Sequence, residues 1–252
     1  MLHSNRKKYP PLDIPIVCMP VTINNDVPGT ELTVGSDTAL NSIVADVDKI
    51  RQSAVASQRV FVVEVMGRDC GYLALMSVAT GAERVYLPEE GIAPDDLTSD
   101  VRKLAEGFRS GKRLGVVIRS ENADPVYSTG FSTSLLEKEG NELFDARQAI
   151  LGHVQEGGDP SPFERIEATR LTAACISYIA EQLETGGRAS AMIGFQSGRL
   201  QFTDLTSYPT VIEATAQRPK EQRWMESSWF CPPPRLARVE GDHVQLAQRR
   251  GE

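Results

Sequence analysis

The chain has 252 residues, with 27 basic and 34 acidic side chains and a formal net charge of −7. Length fits one large domain or two small ones, and the acidic balance gives no general attraction to nucleic acid or anionic lipid. No apolar run approaches the roughly 20 residues that span a bilayer, and the cysteines (Cys18, Cys70, Cys175, Cys231) are scattered without a CxxC pair, which argues against a zinc site or a disulfide framework and for a reducing, cytoplasmic setting.

The N-terminus, Met1 to Pro11, is polar and basic, unlike a secretory signal. Short β-rich runs follow at Ile14–Ile23, Val60–Val65, Arg84–Leu87, Leu114–Ile118, Ala149–Val154 and Ala191–Phe195. Helical patterns fall between them. The first covers Thr38 to Ala56, with Asp37 as N-cap and apolar residues Leu40, Ile43, Val44, Val47 and Ile50 at helical spacing. Another covers Asp96 to Arg109 and stops at Gly111. The longest starts at Pro162, a good first-turn residue, and ends near Gly186-Gly187. The run VFVVEV at Val60–Val65 is nearly all apolar, the signature of a strand buried on both faces in a parallel sheet. The alternation implies an α/β fold, doubly wound, with a mostly parallel sheet. From about residue 229 three prolines and an Arg/Gln/Glu-rich tail predict a poorly ordered end after a domain of residues 1–228.

In open parallel sheets, ligands bind beyond the carboxyl ends of the strands. Here those ends lead into Asn24-Asn25-Asp26-Val27-Pro28-Gly29-Thr30, Met66-Gly67-Arg68-Asp69-Cys70-Gly71, Arg119-Ser120-Glu121 and Gln155-Glu156-Gly157-Gly158, with His153 at a strand end. Taken singly, each has a bland explanation. The Asn-Asp-x-Pro-Gly run is a turn, His153 a structural histidine, and the arginines solvated surface charges. Repetition at successive strand ends changes the balance. Glycines allow close approach of backbone amides, and Arg59, Arg68 and Arg147 offer forked donors suited to phosphate. The pattern reads as a site for a polyhydroxylated, phosphorylated small molecule.

The stretches TINNDVPGT, GSDTALN, VFVVEVMGRDCGYLAL, RSENAD, LGHVQEGGDPSPFERIEATRL and RPKEQRWM resemble ATP-dependent 6-phosphofructokinase over about residues 10 to 228. More narrowly, RSENADPVYSTGF, FDAR and RPKEQRWM look like the C-terminal half of the duplicated eukaryotic, especially fungal, enzyme. In that enzyme the N-terminal half is catalytic, and the C-terminal half has turned its old sugar-phosphate pocket into a site for the activator fructose 2,6-bisphosphate.

The resemblance implies a site position by position. The family's TID triplet, whose aspartate is the base toward the sugar hydroxyl, falls on Thr22, Ile23 and Asn24, followed by Asn25 and Asp26. The sugar-holding MGR triplet falls on Met66, Gly67 and Arg68, and the phosphate-reaching arginine upstream of it on Arg59. The sugar-binding glutamate falls on Glu121, a further arginine on Arg147, and the His-x-x-Arg segment on His153, Val154, Gln155 and Glu156. The arginine of the effector-binding C-terminal segment falls on Arg218. In the family, an arginine like Arg59 or Arg147 comes from the neighbouring subunit, which implies a homo- or hetero-oligomer with other phosphofructokinase subunits or an N-terminal catalytic half.

Departures from the family pattern shape the functional expectation. Asn24 stands where phosphoryl transfer needs a carboxylate, and a positioned base is worth roughly 10²–10⁴-fold. The glycine-rich ATP loop and the GGD segment that holds Mg²⁺ do not precede Ile14. The complete enzyme would use Mg²⁺ and ATP, whereas this chain is expected to hold no cofactor or metal and to be inactive alone. Glu156 replaces an arginine or glutamine and would repel phosphate, while Arg68 is the catalytic-type residue at its position. The expectation is a regulatory-type half, in a glycolytic kinase, that binds fructose 2,6-bisphosphate or another fructose phosphate. The alternatives are a catalytic piece with Asp26 as the base, and an inactive truncated fragment.

Overall fold

The computed structural model describes residues 5–226 apart from 7, 55–56 and 141. The tail expected from residue 229, and Cys231 with it, lies outside the described residues. Nine strands and seven helices are described: β1 Ile16–Cys18, β2 Val21–Thr22, β3 Val34–Gly35, α1 Ser36–Ala54, β4 Arg59–Val65, α2 Tyr72–Met76, β5 Arg84–Tyr86, α3 Pro94–Arg109, β6 Leu114–Ser120, α4 Thr129–Gly140, β7 Asp145–Ile150, α5 Pro162–Glu184, β8 Ser190–Gln196, β9 Arg199–Asp204, α6 Tyr208–Val211 and α7 Arg223–Glu226.

The central sheet is parallel throughout, in the order β5-β6-β4-β7. Successive residues of β4 point to opposite faces. Val63 and Val65 join Ile43 and Val47 of α1 and Leu73 of α2 on one side. Val60 and Val62 join Leu97, Val101, Leu104 and Phe108 of α3 and Leu136 of α4 on the other. The VFVVEV run is therefore buried on both faces, and helices cover the sheet on both sides, as the sequence predicts for an α/β, doubly wound architecture. The remaining strands do not continue this sheet. A three-stranded sheet runs β1-β8-β9, with β1 parallel and β9 antiparallel to β8, and β2 pairs with β3.

Three expectations are corrected. The run Ile14–Ile23 is not one strand: Pro20, which has no backbone N–H, separates β1 from β2, and these pair in different sheets. The run Ala149–Val154 is displaced. Its strand is Asp145–Ile150 at the sheet edge, and Gly152–Glu156 form a 3-10 turn that Gly152 enters at φ +53°. His153 therefore sits on a turn rather than a strand end. The first helix begins at Ser36, which moves Asp37 from the N-cap position into the first turn. The carboxylate of Glu164 does the capping, accepting from the backbone of Gly35 and from Thr38 N–H at 3.2 Å. A buried anion there complements the positive end of the helix dipole.

Helix α5 begins with Ser161 as N-cap: Ser161 Oγ accepts the Glu164 N–H at 3.2 Å, with Pro162 in the first turn. It packs through Leu171 on Ile193 and Phe195 of β8. Of its 23 residues only Glu164 and Leu171 are buried. Phe163, Ile166, Ile176 and Leu183 are 50–64% exposed.

Candidate functional site

The carboxyl ends of β4 and β6 open side by side. Glu121 N–H donates to Val65 O at 2.9 Å, extending the ladder by one rung before the chains part. The Glu121 side chain then turns back, and its Oε1 accepts the backbone N–H of Gly67 at 3.2 Å and of Arg68 at 2.7 Å. Gly67 has φ +149° and Arg68 φ +54°, so the MGR loop is held in a conformation that aims consecutive amides at one carboxylate. From β7, the turn residue Gln155 is fully buried. Its Oε1 accepts Met66 N–H at 3.1 Å and its Nε2 donates to Gly152 O at 2.8 Å. A glutamine can satisfy both partners because its amide is donor and acceptor at once.

The loop after β2 closes the same rim. Asn25, at φ +57°, donates through Nδ2 to Glu31 O at 3.0 Å and accepts Thr33 N–H at 2.9 Å, an asparagine-stabilised loop. Cys70 Sγ reaches Asn25 O at 3.8 Å, bringing this loop onto the one after β4. Asn24 N–H donates to Thr22 Oγ1 at 3.2 Å, and Asn24 Nδ2 donates to Asp26 Oδ2 at 3.1 Å. Arg218 completes the rim from the C-terminal segment. Its Nη1 lies 2.5 Å from Asp69 O and 3.4 Å from Glu89, and its Nε lies 3.1 Å from Glu213.

Thr22 to Asp26, Met66 to Arg68, Glu121, Gln155 and Arg218 are thus interlinked by these bonds at one end of the molecule. His153, Val154 and Glu156 are exposed beside Gln155 on the same turn. Arg59 and Arg147 are not part of this group. Arg59 is the first residue of β4, and Arg147 lies opposite Phe61 on β7. Arg59 starts seven residues before Met66, roughly 23 Å along an extended strand at about 3.3 Å per residue. Arg147 is ion-paired to Asp145 at 3.3 Å and Glu137 at 3.6 Å. Within one chain, Arg59 sits at the amino end of β4, away from the rim, and Arg147 sits midway along the edge strand β7.

Burial shapes the electrostatics. The Cys70 thiol is pushed up to about 12 by burial, making it a poor nucleophile at neutral pH. Glu89 is also raised by burial, partly offset by the Gly71 N–H and Arg218. Sequence reasoning placed Cys70 in the loop after β4 without a role and did not single out Glu89, because burial by the fold defines both. Among the described residues, no group of three or more His, Cys, Asp or Glu side chains could hold a metal ion. No described helix is long and apolar enough to cross a membrane.

A cleft of about 670 Å³ lies beside the rim, lined by Asn25, Tyr72, Met192, Tyr208, Lys220 and Trp224 among others. Tyr72 and Trp224 in its lining pack edge to face, with centroids 5.7 Å apart.

Comparison with known proteins agrees with this architecture. The ATP-dependent 6-phosphofructokinase of Dictyostelium discoideum is 45% identical over 229 residues, covering 89% of this chain and 28% of the relative. The muscle-type enzyme of Oryctolagus cuniculus is 36% identical over 237 residues, covering 89% of this chain and 30% of the relative. The solved phosphofructokinase of Saccharomyces cerevisiae superposes with a TM-score of 0.82 at 33% identity, covering 87% of this chain and 32% of that one. The chain thus spans about 30% of the length of these relatives. The phosphofructokinase profile matches residues 1–179, and the chain belongs to the phosphofructokinase family.

Proposed function

We propose that this chain is a regulatory-type portion of an ATP-dependent 6-phosphofructokinase, and that its rim binds fructose 2,6-bisphosphate or another fructose phosphate as an allosteric effector. The observation that carries this reading is the Asn24–Asp26 hydrogen bond within an otherwise well-built sugar rim. An amide that donates to the neighbouring carboxylate cannot take a proton from a sugar hydroxyl, whereas Glu121, the MGR amides and Gln155 remain organised. The rim offers hydroxyl-binding groups and Arg218. Arg59 and Arg147, away from the rim, fit a phosphate held by a neighbouring copy, so the reading includes an oligomer in which effector binding biases the subunit arrangement.

The uncovered face of α5 and the edge position of β1 favour association with further phosphofructokinase polypeptide. An apolar helix face is normally covered, and an open strand edge is a pairing surface. A strand-and-helix layer of the nucleotide-binding type, or an N-terminal catalytic half, fits both. Magnesium and ATP belong to that complete enzyme, in the cytoplasm.

Isothermal titration of the full chain with fructose 2,6-bisphosphate tests the reading. Saturable binding, weakened about tenfold or more in Arg147→Ala, is the expected result; no heat from a folded, oligomeric preparation rejects it. One observation favours a second reading. Asp26 lies at the rim 3.1 Å from Asn24, so a catalytic piece with Asp26 as base would show turnover of fructose 6-phosphate and MgATP that Asp26→Ala abolishes.

A further inference from the structure

The loop that carries Glu121 is organised around one side chain that the functional reading does not use. Arg119, on β6, is only 2% exposed. Its guanidinium donates to four loop carbonyls: Ser120 at 2.9 Å, Glu121 at 2.8 Å, Asp124 at 2.8 Å and Tyr127 at 3.2 Å. It also faces Thr129 Oγ1 at 3.5 Å and Glu64 Oε2 at 3.3 Å. The Glu64 carboxylate accepts from Thr129 Oγ1 as well. Asp124 closes the loop from the other side, its Oδ1 accepting Val126 N–H and Tyr127 N–H at 2.8 Å each.

The pairing has a geometric consequence. Glu64 on β4 stands in register with Arg119 on β6. Glu64 lies two residues before Met66, and Arg119 two before Glu121. Their ion pair therefore locks together the strand ends that feed both halves of the rim. Glu121 can cap Gly67 and Arg68 because its own backbone is fixed from beneath by Arg119. Only arginine presents five donors in a rigid fork; lysine has three on a flexible stem. A buried charge is costly unless fully paired, so this network has one low-energy arrangement.

We infer that Arg119 is a positioning residue for the sugar-phosphate rim, holding Glu121 against the Gly67 and Arg68 amides. This rests on the functional reading above only for its consequence on ligand affinity. The positioning itself is tested without ligand.

Hydrogen exchange on the full chain compares wild type with Arg119→Lys. The expected result is exchange at Gly67 and Arg68 faster by about tenfold or more, with Val62 and Val117 in the sheet unchanged. Titration with fructose 2,6-bisphosphate should show weaker binding in Arg119→Lys. The double variant with Glu121→Gln should bind no more weakly than Glu121→Gln alone, because the arginine acts through that glutamate. Unchanged protection at Gly67 and Arg68, or additive losses in the double variant, overturns the inference. If Arg119→Lys does not fold, Glu64→Gln, which keeps shape and removes the paired charge, must give the same selective acceleration; uniform or absent change there overturns it. Absence of ligand binding by the wild type rejects the effector reading and leaves the exchange result to decide the role of Arg119.

Discussion

Asn24 Nδ2 donates to Asp26 Oδ2 at 3.1 Å, and both side chains sit in the loop after β2 that closes the rim. Replacing the amide by a carboxylate would put two acids in contact. Like charges at that distance raise the proton affinity of the pair. Asn24→Asp should therefore lower stability by about 1–3 kcal/mol near neutral pH through the lost hydrogen bond and the repulsion. The loss should shrink as pH falls and the pair takes up a shared proton. Urea denaturation at two pH values measures this. On the effector reading, a coupled assay with fructose 6-phosphate and MgATP should detect no gain of turnover.

Gly67 carries a harder constraint. At φ +149° it occupies a region that side chains rarely adopt, and an added Cβ would lie 2.4 Å from Cys70 O. That carbonyl cannot retreat freely, because the loop is already turned by the Cys70 N–H to Gly67 O bond at 2.9 Å. Gly67→Ala should cost about 1–3 kcal/mol from backbone strain alone, more with the clash, and should lose sugar-phosphate binding. Denaturation midpoints and titration of the same preparation separate the two effects. A variant as stable as wild type would contradict the geometry.

Much of this site follows from where β4 and β6 end, and those ends were legible. The VFVVEV run declared a strand covered on both faces, and residues placed after such strands met at one rim. The same rule sets Arg59 and Arg147 apart from the rim, since Arg59 opens its strand and Arg147 lies within one. β7 was misread because an edge strand needs no apolar alternation: Asp145, Arg147 and Gln148 face solvent, and pairing with β4 defines the strand. The hairpin of β8 and β9 turns at Ser197-Gly198, both at positive φ, the Ser-Gly pair being a turn signal that went unused. Arg119 carried no signal of its role, because its partners are carbonyls supplied by the fold.

Cys70 illustrates how the fold sets reactivity. It is 1% exposed, and its thiol is pushed up to about 12 by burial. At pH 8 the thiolate fraction is then about one part in ten thousand. Iodoacetamide should label exposed Cys18 in the native protein and leave Cys70 untouched until denaturant is added. Mapping of alkylated peptides by mass spectrometry reads this directly. Native labelling of Cys70 would mean that the contact between the loops after β2 and β4 opens readily.

Asp124 gives the loop beneath the rim a pH dependence of definite sign. Its carboxylate is held below the usual range chiefly by the Tyr127 N–H; burial opposes this, and the Val126 and Ile92 N–H groups and Arg119 add to the lowering. A depressed folded-state value means that the charged form is favoured by folding. The stabilisation is therefore present above the ordinary aspartate value of 3.8 and is lost as pH falls through the lower folded-state value. Asp124→Asn keeps the shape, removes the charge and leaves a weaker acceptor for two amides. It should be less stable than wild type at pH 7, with the gap narrowing steadily as the solution is acidified toward and below that ordinary value. A gap independent of pH would assign the loss to shape alone. Because Asp124 and Arg119 grip the same loop from opposite sides, the destabilised variant should also expose the Gly67 and Arg68 amides to exchange at pH 7, linking protonation of a residue outside the rim to the order of the rim itself.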